Sequence, residues 1–148
     1  LKAVGINDTQ EQKSFKPKQE TLPIFKNVSV LVAEDNIINQ KVTASILKNM
    51  GINPDVVENG LEAFEACKKK DYDVILMDVQ MPEMDGLEAT VKILSYFDDL
   101  PRKIPTILAM TANVLEKSKN ECRKAGMKGF IAKPVAPGEL RKNLEKWL

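Results

Sequence analysis

The chain alternates between short, β-branched apolar runs and longer segments in which apolar residues recur every three or four positions. The first pattern is typical of buried strands, and the second of helices that pack one face against a sheet. Because the two patterns alternate, we predict that each strand is followed by a helix. The predicted strands cover residues 28–33, 54–57, 72–77, 106–110 and 129–132.

Capping and helix-breaking residues delimit the predicted helices. Asn36 and the Asn59-Gly60 pair open the first two, because an Asn side chain can accept a hydrogen bond from a free amide of the first turn. Gly51 and Gly126 end helices, and Pro137 suits the first position of the last one. Three further helices are predicted over residues 87 to about 100, 114–125 and 137–148, and the residues predicted to face inward in the first two helices are Val42, Ile46 and Met50, then Leu61, Phe64 and Cys67.

Five strands alternating with five helices predict an α/β fold with a parallel sheet covered on both faces. Right-handed crossovers restrict the topology to a doubly wound, flavodoxin-like (βα)5 sheet with the strand order 2-1-3-4-5. The polar, poorly periodic residues 1–26 are interpreted as a mostly irregular leader or linker, and residues 27–148 as the folded domain.

Composition excludes several kinds of chemistry. The chain has 148 residues, a net charge of +1 and no His, so a Ser-His-Asp triad, a Cys-His pair and an imidazole metal site are all excluded. Cys67 and Cys122 lack metal-ligand spacing and suit a reducing compartment. No apolar stretch is long enough to span a bilayer, and the charge does not favour nucleic acid or a membrane surface as a partner. We therefore expect a cytoplasmic domain, with any membrane anchor elsewhere in its parent chain.

Polar residues follow four of the predicted strands directly, and in this topology those strand ends share one edge of the sheet. Each residue also has a simpler interpretation. Glu34 and Asp35 could cap a helix, Asp78 could be a turn acid, Thr111 could be part of a helix cap, and Lys133 could be solvated.

Taken together, these residues indicate a reactive site rather than a set of separate structural roles. Three carboxylates in one crevice repel each other unless a cation lies among them, and oxygen ligands suit Mg²⁺. A hydroxyl and an ammonium group nearby suit the oxygens of a phosphoryl group. We therefore predict phosphoryl transfer onto Asp78 to give an acyl phosphate, with Thr111 and Lys133 holding the remaining phosphoryl oxygens.

Five motifs carry a resemblance to the receiver domains of two-component response regulators, over roughly residues 26–148. They are Val32-Ala33-Glu34-Asp35-Asn36, the run from Met77 to Gly86 with the sequence MDVQMPEMDG, Ala109-Met110-Thr111-Ala112, Ala125-Gly126-Met127, and Ala132-Lys133-Pro134.

The resemblance implies a role for each site residue. Asp78 is the phosphoacceptor; Glu34 and Asp35 hold Mg²⁺, one of them through water, and the backbone carbonyl of Gln80 supplies a further ligand. Lys133 binds the phosphoryl group, and the Lys133-Pro134 peptide bond is expected to be cis. Thr111 and Phe130 are the expected switch residues, although Phe130 lacks the hydroxyl of a Tyr and must act through packing.

The run Glu34-Asp35-Asn36-Ile37-Ile38 and the polar leader resemble the receivers of hybrid histidine kinases. The implied partner is a phosphohistidine-bearing kinase or phosphotransfer domain, and the implied parent chain is a protein-histidine kinase. A helical period places Ile38 with Val42 toward the core and leaves Ile37 near the surface. We therefore consider Ile37 a candidate docking residue, the alternative being that both isoleucines pack in the core.

The sequence is also compatible with other functions. A phosphorylation-independent pseudo-receiver would serve only as a binding module, and a stand-alone response regulator would act without a fused kinase. A phosphatase of the haloacid-dehalogenase type needs a second Asp two residues after the first, where this chain has Gln80. A flavin site is disfavoured because Glu34 and Asp35 would repel an anionic cofactor.

Overall fold

A computed structural model describes residues 24–113 and 115–148. Within them, strands and helices alternate strictly along the chain, as predicted. The strands are β1 (Val30–Ala33), β2 (Asp55–Val57), β3 (Val74–Asp78), β4 (Thr106–Thr111) and β5 (Gly129–Ala132), and the helices are α1 (Ile37–Asn49), α2 (Gly60–Lys69), α3 (Gly86–Phe97), α4 (Glu116–Ala125) and α5 (Pro137–Trp147).

The described strands form one parallel sheet in the order β2-β1-β3-β4-β5, which confirms the predicted topology. Strands β1 and β3 are buried along their whole length because helices cover both of their faces. Their nearly continuous apolar sequences are therefore typical of a central parallel strand rather than of a strand with one solvated face.

Each face of the sheet has its own apolar core. On one face, the helices α2, α3 and α4 contribute Cys67, Ile93 and Cys122. On the other, α1 and α5 contribute Leu47 and Leu144. These two layers fix the sheet from both sides and leave the ends of the strands free to carry polar groups.

The capping predictions are confirmed for two helices. The side chains of Asn36 and Asn59 accept hydrogen bonds from the amides of Asn39 and Glu62 at the starts of α1 and α2. Gly126 ends α4 with a φ of 114°, a left-handed conformation that a side chain would strain. Helix α3 ends at Phe97, three residues before the predicted end.

The predicted inner face of α1 was wrong in part. Ile38 is 68% exposed and Val42 is 43% exposed, whereas Thr43 and Leu47 are buried. The prediction assumed that the apolar residues of the first turns point to the core, but the buried face of this helix is rotated toward Gln40 and Thr43. Leu61 of α2 is likewise exposed, while Ala63 and Cys67 occupy the buried face.

The predicted leader lies almost entirely outside the described residues. Of its described part, Phe25 donates its backbone N–H to the carbonyl oxygen of Met50 at 3.0 Å, and its ring packs against the core on the α1–α5 face. Among the residues that the structure describes, no helix combines the length and apolar character needed to cross a membrane.

Candidate functional site

The five residues predicted at the strand ends lie together. Glu34 and Asp35 follow β1, Asp78 and Thr111 are the last residues of β3 and β4, and Lys133 follows β5. They line one crevice of about 600 Å³ at the carboxyl edge of the sheet. Parallel register places them there, because it brings the ends of adjacent strands to the same edge.

Three carboxyl groups form the acidic part of the crevice. Oxygens of Glu34, Asp35 and Asp78 all lie within 4.8 Å of one another. Glu34 and Asp78 are only 1% and 4% exposed, whereas Asp35 is exposed. Such a set of oxygen ligands, partly buried and partly open to water, fits a hard divalent cation such as Mg²⁺.

Lys133 lies between the two buried carboxylates. Its Nζ atom is 2.9 Å from Glu34 Oε1 and 2.9 Å from Asp78 Oδ2. The other Glu34 oxygen accepts a hydrogen bond from the Asn36 amide at 3.2 Å, and the second Asp78 oxygen accepts one from the Gln80 amide at 3.3 Å. One ammonium group thus serves two buried acids, an arrangement that the sequence did not reveal.

The pKa values of the two buried acids shift in opposite directions although both acids bind Lys133. Burial raises the pKa of Asp78 to about 6, because Lys133 opposes the rise only in part and the negative charge of Glu34 adds to it. Burial also acts to raise the pKa of Glu34, but hydrogen bonds from Lys133 and Asn36 outweigh it, so that pKa lies below its usual value. Burial acts to lower the pKa of Lys133, and its bonds to Asp78 and Glu34 raise it overall.

The hydroxyl of Thr111 is held by the loop between β4 and α4. Thr111 Oγ1 donates to the carbonyl oxygen of Asn113 at 3.0 Å and accepts from the Asn113 amide at 2.9 Å. The Asn113 side chain accepts from the Leu115 amide, and α4 has no side-chain cap. Thr111 therefore does not cap the helix, which removes that simpler interpretation.

The backbone that follows Asp78 is fixed by Gly86. The Gly86 amide donates to the Val79 carbonyl oxygen at 2.8 Å, and a Cβ atom at position 86 would overlap the carbonyl oxygen of Asp78. Asp85 caps α3 by accepting from the Glu88 amide at 2.9 Å. The loop is thus held close to Asp78 by a residue without a side chain.

Gln40 is a supporting residue that the sequence analysis missed. Its side-chain amide donates to the backbone carbonyl oxygen of Glu34 at 2.6 Å and so fixes the end of β1. The available signal was spacing, since Asn36, Gln40, Thr43 and Leu47 follow one another at three- or four-residue intervals along one face of α1.

The remaining predicted residues lie around the crevice. Gln80 lines it, and Ile37 is 63% exposed at the start of α1, beside it. Phe130 is half-buried on β5, with its ring packed against the core on the α4 side of the sheet. The Lys133-Pro134 peptide bond is cis, as the resemblance implied.

A family model described as the response regulator receiver domain matches residues 30–145. The chain belongs to the response regulator receiver domain family. It is therefore a receiver domain of two-component systems, as its motifs implied.

A relative with this domain is a histidine kinase. Over 167 aligned residues the chain is 37% identical to a probable histidine kinase 1 from Oryza sativa subsp. indica, with 93% of this chain and 17% of the relative covered. This receiver therefore spans about a sixth of the length of that kinase.

Two solved receivers show the same fold. The receiver domain of the sensor histidine kinase PA1611 from Pseudomonas aeruginosa has a TM-score of 0.72 and 33% identity, covers 81% of this chain and 96% of its own, and holds a magnesium ion in its active-site cleft. The receiver of Saccharomyces cerevisiae Ssk1, solved with the histidine phosphotransfer protein Ypd1, has a TM-score of 0.78 and 29% identity over 84% of this chain and 90% of that one.

Proposed function

We propose that this receiver takes a phosphoryl group from a phosphohistidine onto Asp78 and passes it to a histidine of a phosphotransfer domain, within a hybrid histidine kinase. The single observation that carries the proposal is the placement of Lys133 within 2.9 Å of both Asp78 and Glu34. A buried carboxylate beside a fixed ammonium group, in an open crevice, can act as a nucleophile toward phosphorus.

The same donor set supports Mg²⁺ as the cofactor. Glu34, Asp35 and Asp78 would hold the ion with carboxylate oxygens, and the backbone carbonyl of Gln80 would add a further oxygen. Mg²⁺ bound there would offset the negative charge between Asp78 and the incoming phosphoryl group. The cation in the cleft of the Pseudomonas aeruginosa receiver supports the same choice.

The chain's own residues divide the transfer among them. A carboxylate oxygen of Asp78 attacks phosphorus, the P–N bond to the donor histidine breaks, and its electron pair stays on the ring nitrogen. The donor leaves as neutral imidazole when its other ring nitrogen already carries a proton, and otherwise takes a proton from water. Lys133 binds an oxygen of the transferred group. The hydroxyl of Thr111 turns from the Asn113 backbone toward another oxygen, and Phe130 moves into the space that Thr111 leaves.

Phosphorylation by a small donor tests this function. Incubation with Mg²⁺ and phosphoramidate should add one phosphoryl group, measured by intact mass, and Asp78→Asn should abolish the addition. An unmodified wild-type chain would instead indicate a pseudo-receiver. Sustained release of phosphate at an enzymatic rate would indicate a phosphatase.

The exposed start of α1 supports docking of the phosphotransfer partner. Ile37, Ile38 and Val42, which we call the α1 strip, are exposed apolar residues on the helix that begins beside the crevice. These side chains are largely open to solvent, and a phosphotransfer domain that exchanges a phosphoryl group between its histidine and Asp78 must cover this rim. The complex of the Ssk1 receiver with Ypd1 supports a partner of this class.

A charge placed in the α1 strip tests the docking. Ile37→Asp should slow phosphoryl transfer from phosphorylated Ypd1 at least tenfold, in line with the loss of an interface anchor, and leave phosphoramidate labelling unchanged. Val91→Asp, at another half-exposed apolar position on α3, is the matched control and should leave both rates unchanged. Equal slowing of both reactions by Ile37→Asp would contradict the docking role.

We also propose that residues 1–26 link this receiver to a kinase module. The similarity of nearly the whole chain to a small part of a histidine kinase supports this assignment. An antibody against the receiver should detect a polypeptide several times longer than 148 residues in cells of the source organism. A product of receiver size would instead identify a stand-alone regulator.

A further inference from the structure

Phe130 and Thr111 lie on the same face of the sheet. Phe130 pairs with Ala109 on β4, and its ring packs against the cluster that contains Ile107 and Ala109. Side chains alternate along a strand, so Thr111 projects on the same side as Ala109. The ring of Phe130 is therefore a diagonal neighbour of the Thr111 side chain, on the side covered by α4.

Two cations of α4 stand over this ring. The Arg123 guanidinium carbon is 5.1 Å from the ring centroid of Phe130, and Lys119 Nζ is 5.9 Å from it. Both distances are within the range of cation–π attraction, and the two residues are one helical turn apart. Arg123 is itself fixed by a 2.7 Å hydrogen bond to Asn120 and an ion pair with Glu116 at 3.7 Å.

We propose that Lys119 and Arg123 are positioning residues that hold the Phe130 ring under α4 and thereby oppose the phosphorylated conformation. A Phe ring has no hydroxyl with which to define its outer position, and the two cations supply that anchor through the ring face. The inference rests on the proposed function, because it concerns how the receiver responds to a group on Asp78.

Thermodynamic linkage predicts how the loss of these two cations changes the affinity for a phosphoryl analogue. In the proposed response to phosphorylation, Thr111 leaves its hydrogen bonds to Asn113, and the ring of Phe130 moves toward the vacated space and away from the surface cations. A contact present in only one of two states favours that state, so its removal strengthens binding of any ligand that selects the other. Simple electrostatics predicts the opposite, since removing two positive charges should weaken the binding of an anion.

The test uses Mg²⁺ and beryllofluoride, an analogue of the phosphoryl group, titrated into the chain and followed by NMR. Lys119→Gln with Arg123→Gln should bind beryllofluoride about five- to tenfold more tightly than the wild type. The ring signals of Phe130 in the ligand-free variant should also shift toward those of the bound wild type. Lys117→Gln with Lys124→Gln, which removes the same charge from other positions of α4, is the matched control and should leave the affinity unchanged.

A double-mutant cycle isolates the ring. In a Phe130→Leu background, the change at Lys119 and Arg123 should no longer strengthen binding. The inference would be overturned if Lys119→Gln with Arg123→Gln left the affinity for beryllofluoride unchanged or lowered it. It would also be overturned if the gain in affinity persisted in the Phe130→Leu background. Failure of the wild type to bind beryllofluoride, with Asp78→Asn behaving identically, would instead overturn the proposed function.

Discussion

The two ends of β3 carry the same residue type in opposite roles. Asp73 precedes the strand and accepts from Lys103 Nζ at 2.7 Å and from the Ser29 amide at 2.8 Å. Asp78 ends the strand and also accepts from one lysine and one backbone amide. Yet these bonds hold the pKa of Asp73 below its usual value, while burial raises that of Asp78 to about 6.

The two aspartates differ in burial and in whether their lysine partner is shared with a second acid. Asp73 is partly exposed and pairs with an exposed lysine, whereas Asp78 is buried and shares Lys133 with Glu34. An aspartate with adequate partners stabilises the native state, and one with too little positive charge is kept in a costly ionised form. The second kind is stabilised when a further cation binds beside it, and that dependence on a ligand is what a switch requires.

The largest expected effect is at the shared lysine. Lys133→Met leaves two buried carboxylates without a cation, and we expect it to lower the free energy of unfolding by about 3 kcal/mol at pH 8 without Mg²⁺. Lys103→Met is the matched change at the other end of β3 and should cost at most about 1 kcal/mol, because Lys103 is 69% exposed. Urea denaturation measures both, and equal losses would contradict the comparison.

Neutralising the two aspartates should change stability in opposite directions. Asp78→Asn removes a buried charge and should raise the free energy of unfolding at pH 7.5 by about 1–3 kcal/mol. Asp73→Asn removes the acceptor of an ion pair and should lower it by about 1 kcal/mol. Thermal denaturation without Mg²⁺ measures whether each variant gains or loses stability. A destabilised Asp78→Asn would show that the charge of Asp78 is adequately compensated in the native state.

The pH dependence should separate the two ends further. The native pKa of Asp78 lies above the unfolded value of about 3.9, so its penalty develops as pH rises through about 4 to 6 and is complete above that range. Asp73 has a lowered native pKa, so its stabilisation is present above about pH 4 and disappears as pH falls through that lower value.

The stability advantage of Asp78→Asn should accordingly grow by about 1–2 kcal/mol between pH 5 and pH 7. Urea midpoints collected across that range provide the measurement. A constant difference between variant and wild type would argue against a raised pKa for Asp78.

The smallest effect is expected from Mg²⁺. At a concentration five times its dissociation constant, the ion should stabilise the wild type by about 1 kcal/mol through binding to the native state alone. The gain should fall sharply in Asp78→Asn and remain in Asp73→Asn. Thermal shifts with and without MgCl₂ measure it, and an equal shift in both variants would place the ion elsewhere.

Sequence patterns predicted the fold and the members of the site because both depend on periodicity. The apolar run before Asp78 predicted a buried strand, and β5 was located with its observed bounds. The face of α1 was misjudged at Ile38 and Val42, since a helical period does not say whether an apolar residue faces the core or a partner.

The sequence also did not predict that Lys133 would pair with both Glu34 and Asp78. It depends on the length of the Glu34 side chain and on the position of its carboxylate, which is held by the amide of Asn36. Likewise, the cations above Phe130 come from a different element, and nothing in the local sequence links them to the ring.

Gly86 has a consequence for how this receiver can be modified. Since any side chain at position 86 would press on the peptide group of Asp78, the position of this aspartate depends on a missing methyl group eight residues further along the chain. Variants designed to change the lifetime or the donor preference of this domain can therefore target the rim of the crevice, but they must keep glycine at position 86.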